Sequence, residues 1–244
     1  MTDAELARSI AADAGRLLLA LRERGEFEGK ALGAEGDRVA NRLILDRLAA
    51  ERPDDAVLSE ESADDRLRCA RSRAWIVDPL DGTREYSEGR DDWAVHVALS
   101  VDGAPGAGAV ALPGLDRVLD TGEAAPALPA PPARPRMVVS RTRPPAMTHP
   151  VAEALGAELV PMGSAGAKAM AVADGRAEIY LHAGGQYEWD NCAPAAVALS
   201  RGYHASRVDG SPLRYNNPDP SLPDLLICHP ALAERVLALV RGLG

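Results

Sequence analysis

The stretch Trp75-Ile76-Val77-Asp78-Pro79-Leu80-Asp81-Gly82-Thr83 joins an apolar run to two carboxylates set three residues apart around a proline. Ala74 to Val77 has the texture of a short buried strand. A strand ending in Asp78, then a turn bearing Asp81, offers both carboxylates to one pocket. Pro79 stiffens the backbone between them. Gly82 permits a tight turn and close approach of a ligand, and the amides of Gly82 and Thr83 can then face a phosphate. Asp-Gly is also a strong turn signal, so the motif alone leaves a plain hairpin turn open.

Two further acidic segments share this setting. Ala56-Val57-Leu58 is an apolar strand that runs into Ser59-Glu60-Glu61-Ser62, and Glu188-Trp189-Asp190 precedes an apolar helix. Each has a bland reading: the polar end of a strand for Glu60 and Glu61, a helix N-cap for Asp190. Together, three acidic clusters at strand ends or helix starts point to carboxylates converging on divalent cations. Magnesium takes oxygen ligands and keeps several waters. Two such ions about 4 Å apart are a known device for phosphoryl hydrolysis.

Around these segments the pattern alternates. An amphipathic helix is expected over 3–24, with Thr2 and Glu5 as a capping box and Gly25 as its stop. A second helix is expected from near Asp37 to Ala50, with Val39, Leu43 and Leu48 inward and Asp37 at its start, where a carboxylate suits the helix dipole. Strands follow at 93–101 and 108–112, and 115–121 pairs as a hairpin. The Pro/Ala-rich tract 124–135 reads as an exposed connector. It divides the chain into an N-terminal α+β part, 1–135, with the main acidic motifs, and a C-terminal α/β part, 136–244. In the second part we expect a strand at 137–140, helices at 146–155 and 164–174, a strand at 177–181, and helices at 190–201 and 231–243. The mixed order favours a layered α/β or α+β fold.

Composition narrows the function. The 244 residues carry 27 Lys and Arg against 36 Asp and Glu, a net charge of −9, and 4% are aromatic. Polymeric nucleic acid asks for a basic patch and stacking platforms, so it is not the expected partner. An acidic surface that handles a small phosphorylated metabolite needs bound cations locally. Cys69, Cys192 and Cys228 are odd in number and form no CxxC pair, which fits a reducing cytoplasm. Met1-Thr2-Asp3 opens no basic start followed by an apolar core, so no signal peptide is expected, and no run approaches the roughly 18 apolar residues of a membrane span.

The segments Ser59-Glu60-Glu61-Ser62, Trp75 to Thr83 and Trp189-Asp190 resemble the three signatures of the inositol monophosphatase superfamily, in order and spacing across nearly the whole chain. Asp78 to Tyr86, Asp91 to His96, Gly163 to Met170 and Tyr180 to Gln186 look closest to its 3′(2′),5′-bisphosphate nucleotidase branch, often called CysQ, in its actinobacterial form. The resemblance implies a mixed α/β fold layered as an α-β-α-β-α sandwich, two to three Mg2+ ions per site, and a cytoplasmic homodimer. It also implies removal of the 3′-phosphate from 3′-phosphoadenosine 5′-phosphate by water that the ions activate. By the same resemblance Glu60, Asp78, the Leu80 carbonyl, Asp81 and Asp190 hold the metals, and Glu60 belongs to the activating ion. Thr83 orients the attacking water and pairs with Asp37, whose usual threonine-rich lead-in is replaced by Gly33-Ala34-Glu35-Gly36. Asp81, Gly82, Thr83, Gly163, Ser164, Lys168, His182 and Asp190 border the substrate. Lys168 meets a second phosphate or is a solvated helix lysine. His182 stands where inositol-specific enzymes carry an acid. A broad inositol monophosphate or fructose-1,6-bisphosphate phosphatase is the alternative within enzymes, and a nucleotide-sensing binding module the alternative outside them.

Overall fold

The computed structural model describes residues 1–125 and 127–243; Pro126, inside the expected connector, and Gly244, at the end of the second part, lie outside the described residues. Two long helices open the chain, α1 (Asp3–Arg24) and α2 (Gly29–Glu51). Then come β1 (Ala56–Ser59), β2 (Arg73–Asp81), the short α3 (Thr83–Ser87), β3 (Ala94–Val101), β4 (Ala104–Leu112) and β5 (Arg117–Asp120). The second half runs β6 (Arg136–Ser140), α4 (Thr148–Leu155), β7 (Glu158–Met162), α5 (Ala165–Ala173), β8 (Ile179–Tyr187), α6 (Glu188–Ser200), β9 (His204–Ser206), β10 (Ser221–Cys228) and α7 (Pro230–Arg241).

The strands form two five-stranded sheets, ordered β1-β2-β3-β4-β5 and β7-β6-β8-β10-β9. In the first, β1 lies parallel to β2 and the rest pair antiparallel. In the second, β6 runs parallel to both β7 and β8, while β10 is antiparallel to β8 and β9. The period of two along each strand assigns its faces. Trp75, Val77, Val95, Val97 and Leu99 pack with α1 and α2 on the outer side of the first sheet. Ile76, Ala94, Ala98 and Val110 face inward and share one continuous core with α5, α6 and with Val138, Tyr180, Leu225 and Ile227 of the second sheet. Met137, Ile179, Leu181 and Leu226 face the other way, onto α4 and α7. The result is the expected α-β-α-β-α sandwich. Among the described residues no helix is long and apolar enough to cross a membrane.

One helix begins well before its expected start. α2 starts at Gly29, not near Asp37, and Asp37 lies in its middle, so the helix dipole is not what seats that carboxylate. Gly29, Gly33 and Gly36 depress helix propensity, which hides the helix from a pattern reading. For Gly33 and Gly36 the task is contact. A Cβ on Gly33 would stand 2.6 Å from Thr83 Cγ2 and 2.9 Å from Ser87 Oγ; on Gly36 it would stand 3.0 Å from Leu80 Cδ2. Two missing side chains let α2 press onto α3 and the turn before it, which brings Asp37 to Thr83. The buried face is Leu32, Gly33, Gly36, Ala40, Ile44 and Leu48, with Val39 and Leu43 only half-buried.

This contact is testable. Gly to Ala in a free helix gains up to about 1 kcal/mol, but Gly33→Ala overpacks the seam. We expect it to lose about 1–3 kcal/mol in denaturant unfolding, while Ala31→Ser on the exposed face changes less than about 0.5 kcal/mol. A gain for Gly33→Ala would show that α2 is not held by this approach.

Candidate active site

Asp78 and Asp81 are three residues apart on one strand, so a regular pleat would send them to opposite faces. The ladder between β2 and β3 prevents this. Asp78 pairs with His96 and Asp81 with Ala94, so three steps on β2 oppose two on β3. Pro79, which has no N–H to give the ladder, sits in this bulge. Both carboxylates therefore turn toward the inner layer, where α6 supplies Asp190. One oxygen from each of Asp78, Asp81 and Asp190 lies within 4.8 Å of the others. Glu60, exposed at the rim just past β1, rests its carboxylate against Asp78. An all-oxygen donor set in a polar pocket fits a hard divalent cation.

Asp190 is not the N-cap of α6. The helix begins at Glu188, Asp190 is its third residue, and its Oδ2 accepts from the Tyr187 amide at 2.6 Å. This back-bond locks the carboxylate over the first turn.

Charge is unevenly distributed in the cluster. Burial, then Glu60, Asp81 and Asp190, push Asp78 well above the ordinary carboxyl range. Burial and Asp81 push Asp190 to about 7. Burial works against Asp81 too, but His96, the Gly166 amide and Lys168 outweigh it and lower its pKa. Asp81 Oδ1 accepts from Ala165 N at 3.1 Å and Oδ2 from Gly166 N at 2.5 Å, at the positive end of α5. Asp81 is thus favoured as an anion, while Asp78 and Asp190 are pushed toward holding protons that a cation would displace.

Thr83 Oγ1 donates to the Leu80 carbonyl at 3.1 Å and also reaches Asp37. Burial, then Glu61 and Glu60, raise Asp37 to about 7. Beside the acids lies a cleft of about 410 Å³ bordered by Asp81, Gly82, Gly163, Ser164, Lys168, His182 and Asp190. Thr83 instead borders a neighbouring hollow shared with Asp37. Ser164 caps α5, its Oγ accepting from Ala167 N at 3.0 Å. Lys168 is buried rather than solvated, and its ammonium donates to the carbonyls of Gly163 and Ser164, fastening the turn from beneath. His182 Nε2 lies 2.8 Å from the Gly184 carbonyl.

Other supports were not apparent from the sequence. His96 is fully buried, with Nδ1 2.8 Å from the Trp189 carbonyl and Nε2 3.2 Å from Asp81 Oδ2, the latter without hydrogen-bond alignment. Burial alone would lower its pKa, but Asp81 and the Trp189 carbonyl raise it. A Cβ on Gly166 would strike this ring. Glu188 is also fully buried and accepts from Asn216 N at 2.7 Å, Asn217 N at 2.8 Å and Asn217 Nδ2 at 2.7 Å. Arg68 ties the same loop back to Asp64 through Asn216 Oδ1 and the Asn217 carbonyl, both at 2.9 Å. Asp92 holds the substrate-side turn, accepting from Gly163 N at 2.6 Å. The signal in the sequence was faint: a histidine at an inward strand position, and a second acid two residues before Asp190.

The shifts predict a pH dependence. Asp37 and Asp190 titrate near 7 folded, against a usual value of 3.8. Raised pKa values mean the folded state holds these protons more tightly. Their contribution to stability is full below about pH 4 and is lost as pH climbs through about 7. Without metal, these carboxylates should lower stability between pH 6 and 8. Excess Mg2+ should then raise the melting temperature more at pH 8 than at pH 6, by at least about 2–4 °C, because at pH 6 it must first displace protons. An equal rise at both would contradict the proton-loaded cluster.

Comparison with known proteins agrees with the geometry. A model of the inositol monophosphatase family matches residues 4–243. A Mycobacterium leprae (strain TN) protein named 3′-phosphoadenosine 5′-phosphate phosphatase is 52% identical over 255 residues, 99% of this chain and 94% of that protein. Its namesake from Mycobacterium tuberculosis (strain CDC 1551 / Oshkosh) is 55% identical over 238 residues, 93% of this chain and 89% of that protein. Among solved structures, inositol monophosphatase II from Staphylococcus aureus MSSA476 superposes with a TM-score of 0.80 at 21% identity, covering 96% of this chain and 95% of its own. CysQ from Bacteroides thetaiotaomicron gives a TM-score of 0.79 at 26% identity, covering 93% and 96%. The fold, the converging acids and these likenesses agree that the chain belongs to the inositol monophosphatase family.

Proposed function

We propose that this chain is a magnesium-dependent phosphatase that removes the 3′-phosphate of 3′-phosphoadenosine 5′-phosphate, leaving AMP and inorganic phosphate. The observation that carries this reading is the convergence of Asp78, Asp81 and Asp190 within 4.8 Å beside an open cleft. Two mycobacterial relatives that bear that activity in their names, at 52% and 55% identity, support the substrate. So does His182 at the cleft wall: an imidazole there does not make the carboxylate contact expected for an inositol ring.

Asp78, Asp81 and Asp190, with Glu60 and the Leu80 carbonyl, are the residues that would hold Mg2+. When bound, the ions would activate water and offset charge on the attacking and leaving oxygens. The chain's own groups set up the rest. The Thr83 hydroxyl has one proton and two acceptors, the Leu80 carbonyl and Asp37. Donation to Asp37 would free that carbonyl for a cation and leave the Thr83 oxygen to accept a hydrogen bond from the attacking water, which orients it. Gly82, whose φ of 88° is left-handed, keeps the turn clear of Ser164; a Cβ there would stand 2.8 Å from the Ser164 Cβ. Lys168 lends positive charge under the Gly163–Ser164 turn without leaving its carbonyls.

Two measurements test the reading. Phosphate release with Mg2+ should be faster from 3′-phosphoadenosine 5′-phosphate than from inositol 1-phosphate or fructose 1,6-bisphosphate at equal concentration. A preference for either of the latter would replace the nucleotide reading with the sugar-phosphate alternative. Asp78→Asn should retain the fold yet lose about a thousand-fold or more in kcat, since metal stabilisation of the transition state is worth several kcal/mol. A folded Asp78→Asn protein with normal turnover would refute the metal assignment.

A further inference from the structure

Behind the cleft runs a chain of four buried polar side chains. The Tyr215 hydroxyl lies 2.8 Å from Asn191 Oδ1, Asn191 Nδ2 lies 3.3 Å from Gln186 Oε1, and Gln186 Nε2 lies 3.0 Å from the Tyr180 oxygen. None is more than 4% exposed. Buried polar chains of this kind are costly unless every member is satisfied, so the direction of each bond matters.

The direction is set at the far end. Tyr215 can donate to Asn191 Oδ1 at 2.8 Å or to the main-chain carbonyl of Asn191 at 3.4 Å, and the shorter contact is the stronger bond. That choice turns the Asn191 amide nitrogen toward Gln186. The Gln186 oxygen is then occupied, and its nitrogen donates to Tyr180. Tyr180 therefore accepts a bond from the protein and keeps its own proton to give. Among the described residues the structure assigns the Tyr180 oxygen no other hydrogen bond. Its side chain is 1% exposed and borders the cleft together with Asp81, Lys168, His182 and Asp190. The Lys168 ammonium lies 5.5 Å from the ring centroid. A buried donor on the wall of a substrate cleft, with no protein acceptor, is a group open to a ligand oxygen.

We infer that Tyr180 is a substrate-contact residue whose hydroxyl donates to the ribose oxygen vicinal to the scissile 3′-phosphate ester. This deepens the proposed function and rests on it. The placement follows from its neighbours: Asp81 and Asp190, two of the three converging acids, border the same cleft as Tyr180, which puts this donor beside the scissile ester and its ribose. On a ribose 3′-phosphate the free hydroxyl next to that ester is the 2′-hydroxyl. A site built around such a donor discriminates against an analogue lacking the acceptor, because the buried hydroxyl is then left unpaired.

The test is a cycle between protein and substrate. kcat/KM is measured with Mg2+ for 3′-phosphoadenosine 5′-phosphate and for its 2′-deoxy counterpart, on wild type, Tyr180→Phe and Gln186→Glu, with melting curves for each. Wild type should favour the ribose substrate by about 5- to 100-fold. Tyr180→Phe should lose about that factor on the ribose substrate and change less than about two-fold on the deoxy substrate. Gln186→Glu replaces the donor facing Tyr180 with an acceptor that draws the phenolic proton back into the protein, so it should mimic Tyr180→Phe. Overturning results are a folded Tyr180→Phe with unchanged ribose kinetics, or losses that multiply independently across the two substrates. If wild type hydrolyses neither nucleotide, the proposed function falls and the Tyr180 assignment with it.

Discussion

Everything at this site answers to one constraint: like charges repel, and three carboxylates are held within 4.8 Å of each other inside a folded protein. At that range an unscreened pair costs several kcal/mol even at an effective dielectric near 20. The chain meets the cost in different ways on each member. Asp81 is stabilised as an anion by two helix amides and a buried imidazole. Burial and neighbouring acids push Asp78 and Asp190 toward their protonated forms. Glu60 stays at the rim in contact with water. The metal-free protein is thus a loaded arrangement that a divalent cation discharges, and the surrounding backbone exists to prevent the acids from simply turning away.

Two irregularities provide that resistance. The bulge at Pro79 and Leu80 overrides the pleat, and it is the only way Asp78 and Asp81 can face one side from one strand. The glycine seam of α2 overrides helix propensity so that Asp37 can lie against Thr83. Both are local penalties that tertiary packing outweighs. A third device works at longer range. Glu188, Asn216, Asn217 and Arg68 stitch the start of α6 to the loop beyond Glu60, so acids from distant parts of the chain share a rigid frame.

Much of this was legible from the residues. The strand leading into Asp78, the α1 capping box, the helix stop at Gly25, the helix start near Ser164 and the sandwich all follow from local chemistry and the resemblance of three motifs, although β2 continues through a bulge to Asp81 where a turn was expected. What escaped reading was whatever depends on contact across layers. α2 looked eight residues shorter because its glycines depress helix propensity, when Gly33 and Gly36 are places for another helix to lie. Asp190 read as a cap because a carboxylate before an apolar helix usually is one; only the Tyr187 amide reveals its true position. Lys168 read as either a phosphate ligand or a solvated surface lysine, since burial of a lysine stem beneath a turn leaves no periodic trace. His96 carried only a faint signal, because an inward strand histidine acquires its meaning from Asp81, Trp189 and Gly166.

The shared inner core has a consequence for synthesis. Leu58, Ile76 and Ala94 from the first sheet pack in the same cluster as Cys192, Leu225 and Ile227. A nascent chain that has emerged only as far as the first sheet carries Glu60, Asp78 and Asp81 but has neither the helix that walls them nor the residue that closes the ring. Cation capture in its mature geometry must therefore await emergence of α5 and α6 from the ribosome, and metal loading becomes a late checkpoint rather than a property of the first sheet alone.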